Sequence, residues 1–209
     1  MLIELLSGPA MLKKPNPILR YGSNNHERGW AYYLAQGFHI SPAVGHDSHY
    51  PVWGDATRAR MGVYASELTE EEIYAALRAN RTFATEDEDL RVDFRVNGAH
   101  MGSVLVLEEE RSLEFAVSLD DPTEVDEEYE VTLLRGEVSP QHDGRIKKLN
   151  LADAVVARVS VGEGTTVIGT ATASGRPEFF YVRVRQTGDG DRAWSAPIWV
   201  NHPRNYPLN

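Results

Sequence analysis

Cysteine is absent from all 209 residues, which removes disulfides, thiolate metal ligands and a cysteine nucleophile and leaves the redox compartment open. No apolar run approaches the roughly 18 residues a membrane helix needs. The opening Met1–Ala10 lacks a basic start and carries Glu4 inside its apolar stretch. It therefore reads as a short buried strand ended by Ser7-Gly8-Pro9 rather than a signal peptide, with a cytoplasmic location as the default. Basic residues are in the minority: 21 Lys and Arg against 31 Asp and Glu give a net charge of −10, with a pI near 5.2. Such a surface repels phosphate backbones and anionic lipid, so neither nucleic acid nor a membrane face is expected as a partner. The glycines between Val161 and Gly169 have neither G-x-G-x-x-G nor Walker spacing, and no G-x-S-x-G marks a serine nucleophile. Internal repeats and low-complexity tracts are missing too.

What remains is a chain of ordinary folded composition, 42% hydrophobic and 25% charged, long enough for one to two domains of about 150 residues. Its first third alternates strand and helix patterns. After Leu2–Leu6 comes a Pro-, Asn- and Gly-rich loop to Asn25, then a helix over His26–Gln36 with Trp30, Tyr33 and Leu34 on one face and Gly37 as its stop. A strand over His39–Val44 runs into Gly45-His46-Asp47-Ser48-His49, and another covers Met61–Ala65. Thr69-Glu70-Glu71-Glu72 fits a capping box opening a second helix, with Ile73, Ala76 and Leu77 as its apolar stripe. This order argues for an α/β layer. From Leu90 the pattern becomes strand after strand, punctuated by Asn97-Gly98, Asp143-Gly144 and Asp189-Gly190, which predicts a β-sandwich. The expected division is 1–88 and 89–209, with the seam in Thr85-Glu86-Asp87-Glu88-Asp89. The acidic stretch Asp120–Glu130 reads as a solvated loop in preference to a cation site, because it lacks the glycine-punctuated ligand spacing of a calcium loop.

Asp47-Ser48-His49 is the constellation with chemistry. Asp and His just past the C-terminal end of a buried strand lie where open α/β and barrel folds assemble their sites, and carboxylate plus imidazole suits Zn²⁺, Mn²⁺ or Fe²⁺. The plainer alternative is that Asp47 caps the turn and His49 is a partly exposed polar residue. The block Gly37-Phe38-His39-Ile40-Ser41-Pro42-Ala43-Val44-Gly45-His46-Asp47-Ser48-His49 resembles the last metal motif of the polymerase-and-histidinol-phosphatase (PHP) superfamily, in its carbaryl-hydrolase-like branch. The similarity continues through Leu68–Ile73, Ala75–Leu77, Asn80-Arg81-Thr82-Phe83-Ala84-Thr85, Asn97–Ser103 and Ala193–Val200.

That resemblance implies the C-terminal part of a distorted (β/α)7 PHP-type barrel followed by a β-sandwich, from a divalent-metal hydrolase cutting a small phosphate or related ester. Asp47 and His49 match two family metal ligands; His46 departs from the usual Ser and stands as a third candidate. The family's opening His-x-His is missing here. The resemblance therefore implies a chain that binds metal weakly and is inactive or weakly active alone, its other ligands coming from a missing N-terminal segment. Arg58 and Arg60 follow the motif and are candidates to clamp an anionic substrate, against an ordinary surface role. His26 reads as a polar residue at a helix start and Glu4 as a satisfied strand residue. The rival function is a non-catalytic β-sandwich binding or assembly module. Exposed strand edges make a homo-oligomer plausible under either reading.

Overall fold

The computed structural model describes residues 1–8, 25–51, 53–54, 57–107, 111–124, 127–138, 152–162 and 164–201. The expected turn at Asp143-Gly144, most of the loop before Asn25, His142 and His202 lie outside these residues.

The strand that organises the molecule is β12 (Glu178–Gln186). Phe180, Val182 and Val184 point to one face and Phe179 and Tyr181 to the other, all of them fully buried. A strand with apolar residues buried on both faces belongs in the middle of three layers. Its sheet runs β10 (Ala152–Ser160), β9 (Glu128–Glu137), β12, β13 (Arg192–Ser195), β4 (Thr82–Thr85), β3 (Arg60–Val63), every neighbour antiparallel. The run Ala193–Val200 is two strands rather than one, because Pro197 has no N–H to give to a ladder. β14 (Ile198–Val200) resumes pairing with β12, and β7 (Val104–Leu105) adds to it in parallel.

A second sheet, β11 (Thr166–Thr172), β8 (Ser112–Asp120), β5 (Arg91–Val96) and β6 (Ala99–His100), covers one face. Val92, Phe94, Val96, Leu113, Phe115, Val117 and Leu119 alternate inward and close a core with Tyr129, Val131, Leu133, Phe180 and Val182. Asn97 (φ 49°) and Gly98 (φ 78°) make the two-residue turn between β5 and β6, the conformation Asn-Gly favours. The opposite face carries β1 (Leu2–Ser7), α1 (Glu27–Ala35) and β2 (Ser41–Gly45), with β1 and β2 parallel on either side of the helix in sequence. Leu5, Leu6, Trp30, Leu34 and Ile40 meet Phe179, Tyr181, Trp194 and Trp199 there. The Trp30 and Tyr181 rings are 4.7 Å apart, and Glu27 accepts from the Tyr181 hydroxyl at 3.0 Å and from Arg183 at 3.3 Å.

The expectation of an α/β part derived from a (β/α)7 barrel is corrected by this architecture. The described residues form fourteen strands and two helices of nine residues, mostly in antiparallel sheets. Among the described residues, no further parallel strand extends the β1–β2 pair after β2. β3 turns back antiparallel onto β4, and β4 pairs with β13 in the central sheet. The second helix, α2 (Glu70–Arg78), buries Ala76 but leaves Ile73 and Leu77 of the same apolar stripe only partly covered, so it does not cover a sheet as a barrel helix does. Its start is half as expected: Thr69 Oγ1 accepts from the Glu72 amide at 3.3 Å, but the Glu72 carboxylate takes the Ser66 hydroxyl instead of returning a bond to Thr69.

Candidate functional site

The Asp47 turn begins where β2 ends beside β1. Gly45 leaves room for the Glu4 carboxylate, which a Cβ at that position would strike, and Gly8 packs against the His46 carbonyl in the same way. Asp47 then adopts φ 48°, a left-handed conformation that Asp tolerates better than most residues. Its side chain and that of His49 are 43% and 60% exposed. His49 Nδ1 lies 2.8 Å from the Asp47 carbonyl oxygen and 3.6 Å from Asp47 Oδ1. An Nδ1–H donated to that carbonyl leaves Nε2 with its lone pair, the arrangement typical of a metal-ligating imidazole. His46 Nε2 lies 3.2 Å from the Ala59 carbonyl, so as a donor there it would keep its lone pair on Nδ1.

In type, Asp47 and His49 fit Zn²⁺, Mn²⁺ or Fe²⁺; in number they fall short. Among the described residues no third His, Asp or Glu joins them within ligand range, whereas catalytic zinc keeps three protein ligands. His46 is near in sequence without completing such a group. Arg58 and Arg60 are engaged elsewhere. Arg58 lies 3.7 Å from Asp87 Oδ2 and 3.7 Å from Glu88 Oε2, and Arg60 donates to the Thr57 and Ala59 carbonyls at 2.8 and 2.9 Å. His26 occupies the residue before α1, where Asn25 and not His26 accepts the Glu27 amide, at 2.7 Å.

A second group of acids sits elsewhere. Asp87, Asp89 and Asp121 each place one carboxylate oxygen within 4.8 Å of the others, the one such cluster of metal-ligand types among the described residues. The β4–β5 connection folds tightly here. Thr85 Oγ1 accepts from the Asp87 amide at 3.0 Å, and Asp87 Oδ1 accepts from the amides of Asp89 and Leu90 at 2.7 and 2.8 Å. Thr123 donates to Asp89 at 3.1 Å, and the Tyr129 hydroxyl to Asp121 Oδ2. Burial first, and then Asp121, hold the Tyr129 phenol well above its ordinary range, so it stays a donor. Burial also pushes the Asp89 carboxyl up; Asp87 and Asp121 add to this and the Thr123 hydrogen bond opposes it. Glu124 is raised in the same direction, by burial and then by Asp121, Asp87 and Asp189, against its bond from Gln186. The Asp120–Glu130 stretch is therefore not simply solvated: Asp121 is 0% exposed.

No family model matches the chain, and no curated protein matches it. Among solved structures, the chain is similar to the soluble domain of PmoD from Methylocystis sp. (Rockwell), at 9% identity and a TM-score of 0.32. The match covers 54% of this chain and 90% of that one, and likeness at that level carries no argument about fold or function.

Proposed function

We propose that the chain contributes part of the metal centre of a divalent-cation-dependent hydrolase acting on a small phosphate or related ester, with Asp47 and His49 as two of the ligands. The observation that carries this reading is the His49 Nδ1 contact with the Asp47 carbonyl, which holds the ring near an exposed carboxylate just past the end of β2 and leaves Nε2 to accept a cation. The resemblance of Gly37–His49 to PHP sequences supports it. When bound, zinc, manganese or iron would supply Lewis acidity toward the ester. Asp47 supplies the anionic oxygen and His49 the neutral nitrogen; further donors come, in this reading, from a neighbouring copy or another chain.

Calorimetric titration with Zn²⁺ or Mn²⁺ should show weak binding by the chain, weakened further by about tenfold in Asp47→Ala and in His49→Ala. In the complete assembly, hydrolysis of an aryl phosphodiester or aryl ester should be lost in both variants. Unchanged metal binding and unchanged turnover in both would remove these residues from any site.

The strand edges favour a second reading, a non-catalytic assembly module. Among the described residues β3, β10, β6 and β11 each pair on one side only, leaving ladders open to another chain. Tight self-association without bound metal, measured by light scattering alongside metal analysis, would support the module over the hydrolase.

A further inference from the structure

We propose that Asp87, Asp89 and Asp121 bind a calcium ion at the corner where the β4–β5 connection meets the end of β8. Two oxygens held at about 2.4 Å from one cation are at most about 4.8 Å apart, and one oxygen from each of these three carboxylates satisfies that limit. Acids gathered at a surface commonly do so without an ion. What distinguishes this group is burial without hydrogen-bond partners. Asp121 is fully buried, and once Tyr129 serves Oδ2, its Oδ1 has no donor. Asp87 is 1% exposed; its Oδ1 takes two backbone amides while Oδ2 has no hydrogen bond. The Arg58 guanidinium stands 3.7 Å from that oxygen, outside hydrogen-bonding distance, and equally far from Glu88, so its single charge is shared and does not balance the three carboxylates. Leaving buried anionic oxygens without donors is costly, and a cation removes that cost for both at once.

The donor set decides the class of ion. Three carboxylates with no imidazole or thiolate select a hard cation. Calcium is favoured over magnesium because the ligands come from irregular backbone in two distant segments and impose no octahedron, and calcium accepts six to eight oxygens in loose geometry, water supplying the remainder. The ion would clamp the chain between a strand of the central sheet, β4, and two strands of the facing sheet, β5 and β8. This site is separate from the Asp47 turn and does not depend on its reading.

The test uses the full chain, stripped with chelator and titrated with CaCl2 at constant ionic strength, with MgCl2 and NaCl in parallel. Calorimetry should show one saturable calcium site, tighter than that for magnesium, and thermal melts should shift upward with calcium and not with the matched NaCl. Asp89 is partly exposed, so Asp89→Asn should fold and should weaken calcium binding by about tenfold or more. Asp121→Asn should abolish it; if that variant does not fold, Asp89→Asn decides alone. Asp47→Ala should bind calcium as the unaltered chain does. Absence of saturable binding up to about 10 mM calcium, unchanged affinity in Asp89→Asn, equal stabilisation by NaCl, or loss of binding in Asp47→Ala would each overturn the assignment.

Discussion

On β5, Asp93 lies between a guanidinium and an imidazole, with Arg95 Nη2 at 2.9 Å and His100 Nε2 at 3.1 Å. Burial by itself pushes its carboxyl up, but hydrogen bonds and charge from His100 and Arg95 outweigh it and hold the group below the ordinary 3.8. A carboxylate lowered on folding stabilises the fold at every pH above its unfolded value, and that stabilisation is lost as pH falls through the folded value. Asp93→Asn should therefore melt earlier than the unaltered chain near neutrality, with the gap closing as pH falls below the ordinary carboxyl value of 3.8. Melts followed by circular dichroism across that range would show it; a constant gap would exclude the linkage. At this scale the sequence is a partial guide. Asp47 and His49 are marked by their Asp-x-His spacing and His46 only by the family resemblance; the three follow one another in the connection after β2. Asp121 carries no such mark: it meets Tyr129 on the next strand and Asp87 34 positions earlier, and neither is marked by local pattern.

Elements differ in legibility for a physical reason. β5, β8 and β9 follow alternating or apolar runs and form within a few residues of where those runs place them. β4 escapes notice because Thr82-Phe83-Ala84-Thr85 is buried at all four positions and so shows no alternation. The N-terminus of α2 is legible in Thr69, whose hydroxyl holds the Glu72 amide, but not in the fate of Glu72, which depends on where Ser66 lies. Removing the cap with Thr69→Ala should cost about 1 kcal/mol, read as a lower urea midpoint with unchanged slope. Because Ser66 and not Thr69 engages the Glu72 carboxylate, Ser66→Ala should be roughly additive with it; strong non-additivity would mean the two contacts act as one box.

For the whole molecule, local periodicity reveals strands but not the sheet each one joins. Strand–helix–strand order before residue 88 suggests stacked parallel layers, whereas β3 and β4 enter an antiparallel sheet with β13, a strand more than a hundred positions away. The partner of a strand is set by long-range register, which a short window does not contain. The β1–α1–β2 layer covers Phe179, Tyr181, Trp194 and Trp199, each fully buried. At about 150–250 Å² per aromatic side chain, uncovering them would create a patch larger than soluble monomers tolerate. Deleting residues 1–59 should thus yield a protein that binds a hydrophobic dye and scatters light as aggregates. A dispersed monomer with a sharp melt would show that this layer is dispensable.

Since β12 sends alternate side chains into the two interiors, the outer layers are thermodynamic neighbours across it. Whatever braces one of them, a cation at the Asp121 corner or a partner seated on the helix, also makes the other harder to peel off.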